Sequence, residues 1–168
     1  MLKNSKFFYL LLFAVGFMSC DDKMVFDEYK TISGKSWDKD EILSFSVKAP
    51  DTINNYNLYV NLRNNNDFKF SNLYLIVEMT FPHGKTIKDT LTYKMSRPDG
   101  SFLGTGFTDL KENKLWYKGY ENPFIFEESG DYSVNIQHAM RENGQVEGIE
   151  KLEGVTDVGF RVEPAITN

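Results

Sequence analysis

The sequence predicts an all-β protein, a single antiparallel β-sandwich of Greek-key, Ig-like or jelly-roll-like topology. Three observations support this prediction: apolar and polar residues alternate along most of the chain, no stretch shows the 3.6-residue period of an amphipathic helix, and turn-forming residues separate the alternating runs. Seven or eight short strands separated by turns are typical of a sandwich. A chain of 168 residues is expected to form one domain. We place that domain at residues 37–163, followed by a frayed tail at 164–168.

Six alternating runs define most of the predicted strands. Mostly apolar residues occupy every second position from Leu43 to Val47, Tyr56 to Leu62, Leu73 to Phe81, Leu91 to Met95, Tyr132 to Met140 and Val158 to Val162. The third run carries a second, partly apolar set that includes Tyr74 and Ile76, so it predicts a central strand covered on both faces. Pro82-His83-Gly84 and Asn143-Gly144 supply turns between runs.

Glu128, Gly130 and Tyr132 show the spacing of a tyrosine corner, a structural feature of Greek-key sandwiches. In that feature the tyrosine hydroxyl bonds to the backbone a few residues earlier in the chain. We therefore predict that Gly130 and Tyr132 stabilise the architecture and take no part in activity.

Residues 1–19 are predicted to be a cleaved lipoprotein signal peptide in front of the sandwich. Lys3 and Lys6 give a basic start, and an apolar run extends from Phe7 to Phe17. This run is shorter than the roughly 20 residues that a membrane-spanning helix needs, and it has the form of a signal-peptide core. Ser19, a small residue, then precedes Cys20, which is the bacterial lipoprotein pattern. The alternative is a plain signal peptide followed by a chance cysteine.

Cys20 is predicted to carry a covalent lipid that anchors the mature protein to a membrane. It is the only cysteine of the chain, which argues against an internal disulfide and a multi-cysteine zinc site. Residues 20–36 are predicted to be the lipidated N-terminus and tether. We expect the protein in the cell envelope, at the outer membrane, on either its periplasmic or its surface face. Asp21 and Asp22 fit either a sorting signal or a solvated tether.

Composition argues against several classes of function. The chain has 24 Asp and Glu against 19 Lys and Arg, and this acidic balance disfavours nucleic-acid binding. Its two histidines, His83 and His138, are too few for a multi-histidine metal centre, and no spacing of acidic residues singles out a catalytic or calcium-binding set. We predict no catalytic residue, no metal and no cofactor beyond the lipid on Cys20. His138 is interpreted as a core or interface residue.

Aromatic residues crowd one short segment and suggest a contact surface. Trp116, Tyr117, Tyr120 and Phe124 lie close together in the sequence, and aromatic rings of this kind anchor protein partners. The alternative is that the rings fill the core. We predict that they form a partner-binding surface together with Arg141, whose guanidinium suits a partner carboxylate.

Short motifs follow one another over almost the whole chain: Ser19-Cys20, Tyr29 and Trp37, Tyr59-Val60-Asn61-Leu62-Arg63-Asn64, Pro82-x-Gly84, Gly130-x-Tyr132, Met140-Arg141, Gly148-Ile149 and Val158-Gly159-Phe160-Arg161-Val162-Glu163. In this order, after a lipoprotein signal, the chain resembles the gliding-motility lipoprotein family of Bacteroidetes, the GldH type. The resemblance implies a non-enzymatic envelope lipoprotein with no catalytic set. It would serve gliding and, through the linked secretion system, the export of surface proteins, with envelope proteins of that apparatus as partners.

A surface glycan-binding lipoprotein is the alternative function. It would share the anchor and the sandwich, and it would stack a sugar on the exposed aromatic rings. The two hypotheses differ in the partner, which is an envelope protein in the first and a glycan in the second.

Overall fold

The computed structural model of this protein describes residues 24–106 and 108–165. Within them the chain forms ten β-strands and one short 3₁₀ turn, Ser33–Lys35. The predicted all-β class is therefore confirmed. The predicted signal peptide and Cys20 lie outside the described residues, as do residues 166–168 of the predicted tail.

Two four-stranded antiparallel sheets make up most of the domain. The front sheet has the spatial order β1 (Phe26–Thr31), β10 (Val155–Pro164), β4 (Tyr56–Asn64) and β7 (Lys111–Lys118). The back sheet has the order β3 (Leu43–Lys48), β8 (Asp131–His138), β5 (Asn72–Thr80) and β6 (Thr86–Lys94). A small additional pair is formed by β2 (Ser36–Asp38) and β9 (Lys151–Glu153).

The core lies between the two sheets, where the alternating apolar positions meet. Leu58, Val60 and Leu62 of β4 are fully buried, and so are Leu75 and Val77 of β5. Because successive side chains of a strand point to opposite sides, this alternation puts one face of each sheet into the core and the other outside. The confirmed sandwich thus follows directly from the period of the sequence.

Strand direction sorts the loops to two ends of the sandwich. β1, β4, β6 and β8 begin at one end, and their antiparallel neighbours finish there. Loops 49–55, 81–85 and 119–130 therefore lie at this end, which we call the β1 end. Loops 65–71, 95–110 and 139–150 lie at the opposite end together with β2 and β9, and we call it the β9 end.

The two edge strands of the front sheet differ from the sequence prediction. β1 lies within residues 20–36, so the predicted tether is shorter in the structure and the sandwich begins before residue 37. β7 was not among the alternating runs. Both strands are rich in charged residues, so apolar residues do not recur at every second position. Gly159 of β10 helps to seat β1, since a Cβ there would lie 2.9 Å from the Glu28 carbonyl oxygen.

β5 is an interior strand of the back sheet, but the prediction that both its faces are covered is wrong. Its inner side chains are fully buried, whereas Tyr74 on its outer face is 37% exposed and Ile76 is half-buried. The partly apolar second set of this strand therefore faces outward, and no layer formed by the described residues covers it.

Candidate functional site

An aromatic surface lies at the β1 end, formed by Trp116, Tyr120 and Phe124. Trp116 is 38% exposed and Tyr120 is 76% exposed, and their ring centroids are 5.4 Å apart at an interplanar angle of 64°. An open depression of about 500 Å³ runs along residues 116–124. Phe124 is half-buried, and its backbone exchanges two hydrogen bonds with Tyr56 of β4, of 2.8 and 3.1 Å. These bonds fix the loop to the front sheet.

Trp116 lies on the outer face of the front sheet, in a network of charged side chains. Its ring packs at 4.4 Å from that of Tyr59, and the Lys114 ammonium lies 4.1 Å from the Tyr59 ring centroid. Lys114 donates to both oxygens of Glu163, and Arg161 donates to Glu163 Oε1 at 2.6 Å. Burial acts to raise the pKa of Glu163, but the hydrogen bonds from the two cations outweigh it and lower that pKa. The network holds the tryptophan in a defined position.

Tyr117 is not part of the aromatic surface. It is only 9% exposed and points into the core, because neighbours in a strand face opposite sides. Its hydroxyl donates to Asp89 Oδ2 at 3.0 Å, and Lys118 donates to the same oxygen at 2.9 Å. Burial raises the pKa of the Tyr117 hydroxyl, and the Asp89 charge raises it further. The prediction that this residue contacts a partner is therefore corrected: Tyr117 ties β7 to β6.

Arg141 lies on a different part of the molecule from the aromatic surface. It follows β8 and, with Tyr74, Ile76, Thr90 and Ala139, lines a cleft of about 470 Å³ on the outer face of the back sheet. Trp116 lies on the outer face of the front sheet, with the core in between. The prediction of one continuous surface is wrong, because the two segments belong to different sheets. We call Tyr74, Ile76 and Arg141 the Arg141 surface.

The Arg141 surface is held in place by backbone contacts at the end of β8. The Ala139 amide donates to the Tyr74 carbonyl at 2.9 Å, and Arg141 pairs with Gly148 as a single antiparallel bridge. Within the described part of the chain, no group is hydrogen-bonded or ion-paired to the Arg141 guanidinium. Sequence reasoning identified Arg141 but missed Tyr74 and Ile76 as its neighbours. The signal that could have found them is the second, partly apolar set of the Leu73–Phe81 run.

His138 lies in the core beside Trp37, and both of its ring nitrogens make hydrogen bonds. It is 3% exposed, and its ring stands edge-on to that of Trp37 at 5.4 Å. Nε2 lies 3.1 Å from the Trp37 carbonyl oxygen, and Nδ1 accepts from the Met140 amide at 3.4 Å. This arrangement requires the neutral ring with its proton on Nε2. Burial lowers the pKa of His138 and favours the same neutral form.

Tyr132 makes the contacts of a tyrosine corner. Its hydroxyl donates to the Glu128 carbonyl at 3.2 Å and accepts from the Glu128 amide at 2.9 Å. Gly130 has φ of +129° and lies close to Pro82, whose Cβ would be 3.1 Å from a Cβ at position 130. These contacts connect the loop before β8 to the turn between β5 and β6.

Residues 24–106 and 108–165 contain no group of three or more His, Cys, Asp or Glu side chains that could hold a metal ion. In the same residues, no helix is long and apolar enough to cross a bilayer.

Comparison with known proteins gives one family. Residues 24–162 match the family model described as GldH lipoprotein. The chain is 55% identical over 147 residues to the gliding motility lipoprotein GldH homolog of Christiangramia forsetii, covering 88% of each chain. It is 50% identical over 162 residues to the gliding motility lipoprotein GldH of Flavobacterium johnsoniae, covering 96% of this chain and 97% of that one.

Among solved structures, a family GH115 4-O-methyl-α-glucuronidase with specificity for decorated arabinogalactans matches with a TM-score of 0.42 and 12% identity. The match covers 89% of this chain but only 19% of that chain. A likeness at this level carries no argument about activity.

Proposed function

The chain belongs to the GldH lipoprotein family, and on this premise we propose that it is a non-enzymatic, membrane-anchored interaction module of the gliding motility machinery and of the linked protein secretion. The family match over residues 24–162 and the relatives named as gliding motility lipoproteins support the proposal. The structure adds a compact sandwich with two separate exposed surfaces. Such a domain acts by contact, and the anchor raises its local concentration near envelope partners.

The proposed anchor is a lipid on Cys20, after removal of residues 1–19. A bacterial lipoprotein carries its lipid on a cysteine, and this chain has only one. A single acyl chain gives marginal membrane binding, whereas two or three chains hold a protein stably. We place the anchored protein in the cell envelope, at the outer membrane.

The Arg141 surface is the proposed contact with an envelope protein. The observation that supports it is an arginine beside an exposed tyrosine and a half-buried isoleucine. Among residues 24–106 and 108–165, this arginine has no hydrogen-bond or ion-pair partner and no layer covers this sheet face. Tryptophan, tyrosine and arginine are the residues that most often dominate protein–protein binding energy, and this surface offers two of the three. The partner that fits is a protein segment with an apolar side chain next to a carboxylate, which Arg141 would bind in a bidentate manner.

Replacement of Arg141 and Tyr74 tests this surface in a gliding host. The full-length lipoprotein with Arg141→Ala and Tyr74→Ala should reach wild-type levels in the membrane fraction but fail to support colony spreading and secretion. Arg97→Ala is the matched control, since it removes an exposed arginine at the β9 end outside this surface. Normal spreading and secretion by the double variant would contradict the assignment.

The glycan alternative would rely on the aromatic surface instead. Trp116 and Tyr120 stand at 64° to each other and form no flat platform for successive sugar rings. Tyr120 also belongs to the end of the domain where the chain enters from its anchor. The Arg141 surface is therefore favoured as the partner site, and binding of glycans by the purified protein would reverse this order.

A further inference from the structure

We propose that the β1 end of the sandwich rests on the lipid surface, with Ile53 and Tyr120 in the headgroup region. This inference rests on the lipidated Cys20 of the proposed function. It goes beyond the anchor itself, because it assigns a second contact between the folded domain and the membrane and so fixes the orientation of the domain.

The length of chain between Cys20 and the fold allows little distance from the membrane. The Val25 amide donates to the Val162 carbonyl at 3.0 Å, and Arg161 lies 3.7 Å from the Met24 sulfur. The folded domain therefore reaches back to Met24. Three residues lie between Cys20 and Met24, and the four residue steps that join them span at most about 14 Å when fully extended.

Several exposed apolar side chains lie at this same end of the sandwich. Ile53 is 82% exposed in loop 49–55, and Tyr120 is 76% exposed in loop 119–130. Met24, Val25 and Ile125 are each 40–45% exposed and belong to the same end. The β9 end also exposes apolar residues, among them Ile42 at 53% and Val146 at 78%. Exposure alone therefore does not distinguish the two ends, and the anchor that enters at the β1 end selects its apolar side chains for contact with lipid.

Ile53 is displayed by an ordered loop. Asp51 Oδ1 accepts the backbone amides of Ile53 and Asn54 at 2.8 and 2.7 Å, and Asp51 Oδ2 accepts the Tyr56 hydroxyl. These hydrogen bonds lower the pKa of Asp51, so the loop keeps its charge and shape at neutral pH. An isoleucine fixed at such a tip cannot fold back to bury itself.

Lipid is the occupant that fits this end. A tether of about 14 Å leaves no room for a folded protein between the β1 end and the bilayer, since a small domain is about 30 Å across. Tyrosine and isoleucine suit the boundary between headgroups and acyl chains, where the phenol ring keeps its hydroxyl hydrated. The contact is apolar, because the acidic chain offers little attraction to anionic lipids.

The orientation also places the Arg141 surface away from the membrane. Arg141 lies near the β9 end, and a nine-residue strand such as β4 is about 30 Å long. A domain standing on its β1 end would present Arg141 to partners in the adjoining compartment.

Quenching of tryptophan fluorescence by brominated lipid tests the orientation. The full-length lipidated protein with Trp116→Phe retains only Trp37, which is fully buried. In this background Tyr120→Trp reports on the β1 end, and Val146→Trp reports on the β9 end. The two positions are matched in exposure, at 76% and 78%. Ile53→Trp serves as a second reporter at the β1 end.

The proteins are reconstituted into phosphatidylcholine vesicles whose lipids carry bromine near the top of the acyl chains. We expect several-fold stronger quenching for the indoles at positions 120 and 53 than for the indole at position 146. Equal quenching at both ends, or none at either end in protein that floats with the vesicles, would overturn the inference and leave the proposed function standing. If the protein did not float with the vesicles, the proposed anchor would be wrong, and both this inference and the anchored function would fail with it.

Discussion

The outer faces of the two sheets are built from different kinds of side chain. On the front sheet, Arg161 is bound between Asp27 and Glu163, at 2.8 and 2.6 Å, and all three side chains are less than 20% exposed. On the back sheet, Tyr74 lies opposite Thr92 and shares a cleft with Ile76 and Thr90, and Arg141 has no partner among the described residues. Mutually paired charges stabilise the fold they belong to. An unpaired arginine beside apolar groups is available to another molecule.

The front face is stabilised by aromatic rings as well as by charge. The Arg63 guanidinium lies 4.1 Å from the centroid of the Tyr29 ring and donates to Glu112 at 3.1 Å. Tyr29 also donates to Glu112 at 3.0 Å, so three strands, β1, β4 and β7, are connected across the sheet. Cation–π contacts of this kind add about 0.5–1 kcal/mol at exposed sites.

Replacing one arginine by alanine on each face is expected to give the largest difference in the free energy of unfolding. Arg161→Ala leaves Asp27 without its cation and Glu163 with Lys114 alone, and should lower the free energy of unfolding by about 3 kcal/mol. Arg141→Ala should change it by no more than about 0.5 kcal/mol, because nothing in the described structure pairs with that side chain. Urea denaturation followed by circular dichroism measures both. Equal losses would show that the two faces are not distinct.

A smaller effect, with a defined pH dependence, is expected from Glu163→Gln. The folded pKa of Glu163 lies below its ordinary value of 4.5, so its stabilising contribution is present above pH 4.5 and is lost as the pH falls through the folded pKa. The variant should be about 1.5 kcal/mol less stable at neutral pH, from weaker bonds to Lys114 and Arg161. This deficit should shrink as the pH falls below 4.5. A deficit that stays constant with pH would show that the charge of Glu163 is not responsible.

The smallest effect is expected from Glu78→Gln on the back face. Glu78 lies 3.9 Å from Lys88, and the two side chains are 37% and 61% exposed. Exposed pairs of this kind contribute about 0.5 kcal/mol or less, and salt screens them. The same denaturation measurement checks this value. A loss above about 1 kcal/mol would mean that charge pairs order the back face as well.

Much of the fold could be predicted from the sequence because the alternating period is a local property. It tells which residues of a strand share a face, and it identified the buried sets of β4, β5 and β8. The same rule could have excluded Tyr117 from any surface that contains Trp116, since neighbours in a strand face opposite sides.

The alternation of apolar and polar residues could not predict which residues form the candidate site. Alternation does not say which sheet a strand joins, so Trp116 and Arg141 could not be assigned to opposite sides of the molecule. Strand β1 pairs with β10 at the far end of the chain, Phe26 opposite Val162. Such long-range pairing leaves no mark in the local sequence. Arg141 could be singled out from the sequence as a candidate contact residue. Its neighbours in the site could be found only from the three-dimensional structure.

The pairing of β1 with β10 has a mechanical consequence. With the anchor at Cys20, as proposed, a pull on a partner bound near Arg141 is transmitted to the membrane through β1. The force then acts along the strand, whereas the hydrogen bonds to β10 run across it, at six paired residues from Phe26 to Thr31. The hydrogen bonds at these six positions are loaded in shear. They must break together, because a force along the strand does not open them one after another. A lipoprotein built in this way is suited to a machine that moves cells, because the first strand after its anchor is attached in the geometry that best resists tension.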